Sequence, residues 1–95
     1  MDPKIQLLHP SGKKAVSIDK AKYDVLKSAL LECLRANGES THANILQCIT
    51  EDFRKSKIKF VGSLEWYLEW VKLDLEARKI IRRINDKPFI KFVAT

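Results

Sequence analysis

The sequence predicts an α+β domain of three helices and a C-terminal β-hairpin, with a further hairpin added at the N-terminus. Three observations carry this. Residues 63–78 are a long, strongly apolar run at helical spacing. Two earlier stretches, near 20–36 and 41–54, keep the same period between capping residues and helix stops. Residues 80–93 then change to an extended mixture of apolar and basic residues around a turn.

In chain order, 5–9 and 14–18 are short β-prone runs around the turn cluster Pro10-Ser11-Gly12-Lys13. Two strands alone are marginal in water, so this hairpin needs a larger surface, for which the Trp66/Trp70 stripe is the expected seat. Asp19 is placed to cap the first helix, with Ile18 and Tyr23 as a hydrophobic staple. Leu26, Ala29, Leu30, Cys33 and Leu34 keep helical spacing while Lys20, Lys22, Lys27 and Glu32 turn outward, and Asn37-Gly38 supplies the stop. Ser40 or Thr41 caps the second helix, whose Ile45, Leu46, Ile49 and Phe53 share a face. The connector that follows carries Arg54, Lys55, Lys57 and Lys59 and no acid, with Ile58, Phe60 and Val61 expected to anchor it.

In the third helix, Leu64, Tyr67, Leu68, Val71 and Leu75 form one stripe, and Trp66, Trp70, Leu73 and Ala77 form a second on the opposite side. Leu30, Ile49, Leu68, Val71 and Leu75 are the expected shared core. The second stripe must be covered by the N-terminal hairpin, by a second copy or by a partner. A polar ridge of Glu65, Glu69, Lys72 and Glu76 lies between the stripes. The wing is expected as strands 80–84 and 89–93 around a four-residue loop at 85–88.

Ninety-five residues suit one domain, 1–95, with a single core. Apolar content of 45% and a mean hydropathy of -0.24 fit a globular chain. Met1-Asp2-Pro3-Lys4 lacks the character of a signal peptide and no apolar run reaches a membrane span, so a cytoplasmic protein without membrane contact is expected. Cys33 and Cys48 fall among apolar helical residues without metal-ligand spacing and are expected as free core thiols. His9 and His42 stand alone in sequence, each without an acid, Cys or Ser at a spacing that makes a catalytic or metal-ligating set, which favours surface or capping roles. No metal or cofactor is expected.

The net charge of +6 and pI near 9.5 favour anionic partners. Residues 63–78 hold four acids and two bases, leaving 16 of the 18 bases and 8 of the 12 acids elsewhere. The positive charge therefore lies off the third helix.

The run from Trp70 to Arg83, a leucine- and glutamate-bearing helix passing through Arg78-Lys79 to the Ile80-Ile81 pair, resembles the third-helix-to-wing junction of winged helix-turn-helix domains. It departs from many members at Lys79, where they carry Gly, so a less permissive residue must make the turn. The whole chain, including Leu8-His9-Pro10-Ser11-Gly12-Lys13-Lys14 and Gly62-Ser63-Leu64-Glu65-Trp66-Tyr67, is similar to a family of small, single-domain bacterial proteins of unknown function with a winged-helix fold. That resemblance implies a fold and no activity, so function rests on the surface chemistry.

Two functions from different classes fit. The first is a protein-interaction or homodimer module using Trp66, Trp70 and Leu73, since tryptophan is enriched at interface hot spots. The alternative is a DNA-binding regulator using helix 63–78 and the wing 80–93, with weak electrostatic contacts from Arg54, Lys55, Lys57, Lys59, Arg82, Arg83, Lys87 and Lys91. Three glutamates on the third helix speak against base reading, because they repel phosphates. Catalysis finds no Gly-rich phosphate loop, metal spacing or nucleophile–base pair, and a non-enzymatic protein is expected.

Overall fold

A computed structural model describes residues 3–95; Met1 and Asp2, half of the N-terminal tetrapeptide considered above, lie outside the described residues. Three helices carry the core. Helix α1, Lys20–Asn37, buries Tyr23, Leu26, Ala29, Leu30, Cys33 and Leu34 along one face. It stops at Gly38, whose φ of 73° is the left-handed conformation that glycine adopts without strain and whose N–H reaches the Leu34 carbonyl. Helix α2, His42–Lys55, buries Ile45, Ile49 and Phe53, and the Thr41 hydroxyl caps it by accepting from the Asn44 N–H. Helix α3, Leu64–Ala77, is capped by the Ser63 hydroxyl, which accepts from the Trp66 N–H, and buries Leu68, Val71 and Leu75. The five expected core residues, Leu30, Ile49, Leu68, Val71 and Leu75, are all fully buried and pack in one cluster.

The strands form two antiparallel sheets. Strand β1, Lys4–Gln6, pairs with β2, Ser17–Asp19. The short β3, Ser40–Thr41, joins the C-terminal hairpin of β4, Ile81–Asp86, and β5, Phe89–Ala94, in the order β3-β5-β4. The central β5 thus ties the hairpin to the link between α1 and α2, through the pairs Ser40 with Phe92 and Thr41 with Lys91. Ile81 and Phe92 put this small α+β domain's sheet into the helical core. Lys79 makes the turn from α3 into β4 at a φ of 63°, the strained role the sequence assigns to it.

Several local expectations are corrected. The first hairpin pairs at 4–6 and 17–19, extended by a Leu7 N–H bond to the Val16 carbonyl, so its loop is longer than the turn cluster. Asp19 occupies the N-cap position of α1 without a side-chain capping bond. Asn85 and Asp86 continue β4 in register with Ile90 and Phe89, which leaves only Lys87 and Pro88 between the strands. Of the connector's apolar residues only Phe60 packs on the core, while Ile58 and Val61 are exposed.

The free-thiol expectation is also overturned. Cys33 and Cys48 form a disulfide between α1 and α2, because the turn at Gly38 folds two inward positions, 15 residues apart in sequence, to a Cα separation of 6.3 Å. Among the described residues, no helix is long and apolar enough to cross a membrane.

Candidate functional site

Four groups of side chains were candidates from sequence: the ridge of α3, its tryptophan stripe, the basic connector and the wing. The ridge is built into the fold instead of lying open. Capping by Thr41 places His42 on the first turn of α2, where it faces α3 across the interhelical corner. Its Nδ1 lies 3.1 Å from Glu69 Oε1 and its Nε2 lies 3.4 Å from Glu65 Oε1. Lys72 Nζ, 2.8 Å from Nδ1 and 3.3 Å from Glu69, closes a triangle of imidazole, ammonium and carboxylate. An ammonium can only donate, so the contact assigns Nδ1 as the acceptor and the imidazole proton to Nε2. Nε2 is buried without a hydrogen bond, the Glu65 oxygen being near in charge but off the line of the N–H.

Lys72 is 5% exposed, and burial pushes its ammonium below the usual lysine range, with Glu69 acting against that shift. Its Nζ also lies 4.3 Å from the centre of the Phe92 ring, and the Arg83 guanidinium lies 5.3 Å from that centre. Arg83 Nε in turn binds Glu76 at 3.1 Å. The ridge is therefore a ladder in which Lys72 bridges His42 and Glu69 and lies against Phe92, while Arg83 lies against the same ring and pairs with Glu76. It holds α2, α3 and the wing together. His42, isolated in sequence, acquires acidic partners from α3, whereas His9 keeps the local role expected of it, accepting from the Ser11 N–H through Nδ1.

Asp74 was not singled out from sequence and is wholly buried. It accepts from the Tyr23 hydroxyl at 2.6 Å, from the Leu8 N–H at 2.8 Å and from Arg78 Nε at 2.9 Å. Burial, and then the adjacent carboxylate, drive the Tyr23 phenol above its ordinary range, while the bond to Asp74 raises Arg78. One carboxylate thus ties α1, α3 and the N-terminal segment. The signal was present: Asp74 stands between Val71 and Leu75 of the inward stripe of α3, where a lone acid needs donors.

The tryptophan stripe divides. Trp70 is half-buried against the core and Leu73 is half-buried, but Trp66 is 46% exposed. The N-terminal hairpin packs on α1, where Leu7, Ala15 and Ile18 enter the core, so the expected cover for Trp66 is not provided by it. Instead, Trp66 stands in a row of rings, Phe53, Phe60, Tyr67, Trp66 and Trp70, with successive centroids 5.0 to 6.3 Å apart. Lys22, expected to turn outward, bridges this row, bonding the Val61 carbonyl and lying 4.6 Å from the Tyr67 ring centre. Gly62 enters α3 at a φ of 102°, and a Cβ there would stand 3.0 Å from the Tyr67 ring. That holds the connector against the aromatic row and leaves Val61 67% exposed beside it.

The basic residues fall in two places. Arg54, Lys55, Lys57 and Lys59 are exposed between α2 and α3. On the wing, Arg82 and Lys87 are exposed, Lys91 is half-buried and Arg83 is engaged by Glu76 and Phe92. Phe89 and Ile90 are exposed at the wing tip. Among the described residues no three His, Cys, Asp or Glu side chains are grouped to hold a metal ion.

Comparison with curated proteins and with solved structures returns no match to this chain. A family model matches residues 4–89, a span that contains the Asp74 cluster, the aromatic row and all of the ladder but Phe92. With that match covering most of its length, the chain belongs to the family of unknown function DUF6958.

Proposed function

We propose that the protein is a non-catalytic binding module of the winged helix-turn-helix type, which pairs with a second copy of itself through the face around Trp66. The carrying observation is Trp66 itself, 46% exposed between Tyr67 and Trp70 in an aromatic row, with Val61 of the preceding connector 67% exposed. An exposed indole beside an apolar neighbour is the composition of an interface anchor. The segment carries both signs of charge: Glu65, with its side chain 64% exposed, is next to Trp66 in sequence, and the connector that precedes the helix holds the exposed Lys57 and Lys59. In a two-fold pair each copy offers the same patch to the other, so an acid and lysines in one patch give the contact charges of opposite sign to pair.

What supports the winged helix is the order α1-β3-α2-α3-β4-β5, with the strand between the first two helices added to the edge of the C-terminal hairpin. What supports a non-catalytic role is that Lys72 is engaged by both His42 and Glu69, and Glu76 by Arg83. Sedimentation from about 1 μM to about 1 mM, which spans binding free energies of about −8 to −4 kcal/mol, tests the pairing. The expected result is a dimer weakened at least about 30-fold by Trp66→Ala, the effect of losing one hot spot. A monomer throughout that range sinks the proposal.

DNA binding is the second reading, favoured by the exposed Arg54, Lys55, Lys57, Lys59, Arg82 and Lys87. If about four to six cations neutralise phosphates, log K against log salt falls with a slope of roughly −4 to −5 and depends little on base sequence. No binding to random duplex at about 50 mM salt rejects it.

A further inference from the structure

The two sulfurs of the disulfide between α1 and α2 have different surroundings. Cys33 is 6% exposed and belongs to the core cluster. Cys48 is half-buried and opens onto a hollow lined by Asn37, Glu39, Ser40, Asn44, Gln47 and Glu51, which Cys33 does not line. The Asn37 side-chain amide donates to Cys48 Sγ at 3.8 Å, marking that sulfur as the one in contact with polar surroundings. Two of the lining residues are carboxylates and neither Lys nor Arg lines the hollow, on a chain whose net charge is +6. Local and overall charge therefore select opposite ligands, and within a few ångströms of the sulfur the local charge governs.

We propose that Cys33–Cys48 is a redox site opened and modified at Cys48, by small thiols that carry no net negative charge. A thiolate RS⁻ entering the hollow attacks Cys48 Sγ and forms a new S–S bond. The Cys33–Cys48 bond breaks, and Cys33 leaves as a thiolate that takes a proton from solvent. A second RS⁻ attacks the mixed disulfide at the sulfur of R, releasing the Cys48 thiolate, which is then protonated, and RSSR. Overall, two RSH reduce one protein disulfide to two thiols and become one RSSR, a two-electron exchange. The Cys33 thiol remains beside the mixed disulfide in an apolar site, so it re-closes the ring in the intact protein. The mixed species accumulates only when Cys33 is removed. The loop between the two cysteines contains β3, Thr41 and His42, so opening the bond loosens the corner where α2 meets α3 and the wing.

The test compares Cys33→Ala and Cys48→Ala, each confirmed as folded by circular dichroism, in reaction with cystamine and with oxidised glutathione, read by intact mass. Cys48 in the first variant is expected to form a mixed disulfide at least about tenfold faster than Cys33 in the second, in line with its access to solvent. Cystamine is expected to outpace oxidised glutathione by about threefold or more, with the gap narrowing as salt screens Glu39 and Glu51. Equal rates at the two cysteines overturn the assignment to Cys48, and equal or faster reaction of the anionic reagent overturns the charge selection. Should either variant fail to fold, reduction of the intact disulfide by cysteamine and by glutathione at matched thiolate concentration decides. Faster reduction by cysteamine upholds the proposal, while equal rates, or two free thiols in the air-equilibrated protein, reject it.

Discussion

Replacing Asp74 by alanine tests whether one buried carboxylate organises three segments. The side chain is fully buried and takes bonds of 2.6 Å from Tyr23, 2.8 Å from the Leu8 N–H and 2.9 Å from Arg78. Hydrogen bonds to a charged acceptor contribute about 1.5–3 kcal/mol each, and the orphaned Tyr23 hydroxyl, on a residue 4% exposed, retains its desolvation penalty. Arg78 counts for less, because its side chain is 34% exposed and turns to water when its partner is lost. Removing Asp74 also relieves the cost of burying a carboxylate, so the sum is brought down to about 2–4 kcal/mol. For a chain of this size that corresponds to a fall in Tm of roughly 10–25 °C. Urea unfolding followed by tryptophan fluorescence measures it, and Tyr23→Phe in the Asp74→Ala background supplies the control. With the orphaned hydroxyl gone, the second substitution should be nearly neutral there, although alone it should cost about 1.5–3 kcal/mol. A loss below about 1 kcal/mol for Asp74→Ala, or strict additivity of the pair, refutes the reasoning.

Other outcomes follow from the same contacts. The folded-state pKa of Tyr23 is raised above its unfolded value of 10.0, so its contribution is fully present below about pH 10 and is lost as pH rises further; Tyr23→Phe should flatten that alkaline limb in pH-dependent unfolding. Lys72→Met replaces a buried ammonium by an apolar chain of similar length while Glu69, half-exposed, returns to water, so denaturant midpoints should show stability within about 1 kcal/mol of the parent or above it. Leu68→Ala, at a fully buried position of α3, should cost roughly 2–5 kcal/mol in the same assay, and a smaller loss means that the core collapses around the cavity.

How much of this was legible in the sequence depended on the range of the interaction. The helices were, because Leu26, Leu30 and Leu34, or Leu64, Leu68, Val71 and Leu75, repeat at spacings that only a helix puts on one face. Lys79 was too, since a helix running directly into a strand needs a left-handed residue there. The wing turn was misjudged because Asn85, Asp86, Lys87 and Pro88 are all turn formers, and ladder pairing with Phe89 and Ile90 draws the first two into β4. The disulfide was beyond local pattern, as spacing alone does not reveal that two helices will bring Cys33 and Cys48 to bonding distance. Which of the expected covers applies to Trp66 was not legible for a related reason: the hairpin's position is set by Leu7 and Ile18, which enter the core on the side of α1 and leave Trp66 exposed.

The ladder changes the weight of the charges on α3. Counted by sequence, Glu65, Glu69 and Glu76 repel a phosphate backbone; in place, Glu69 is opposed by Lys72 at 3.3 Å and Glu76 by Arg83 at 3.1 Å. The repulsion is thereby reduced, but the same pairs remove Lys72 and Arg83 from the supply of phosphate contacts. Lys72 is the more firmly held of the two, since its ammonium lies under the Phe92 ring and within the core boundary, where withdrawal breaks three contacts at once. Arg83 is more loosely held, because a pair with a side chain 39% exposed stabilises by only about 0–1 kcal/mol and phosphate can compete for it. The surface of α3 that faces the wing is thus close to neutral and joined to its neighbours, a poor instrument for reading bases and a sound one for fixing geometry. The N-terminal end of the helix remains, where Trp66 and, in the connector before it, Val61 are exposed. The proposed pairing uses that apolar area first and charge second, whereas a DNA-reading helix relies first on polar and charged groups.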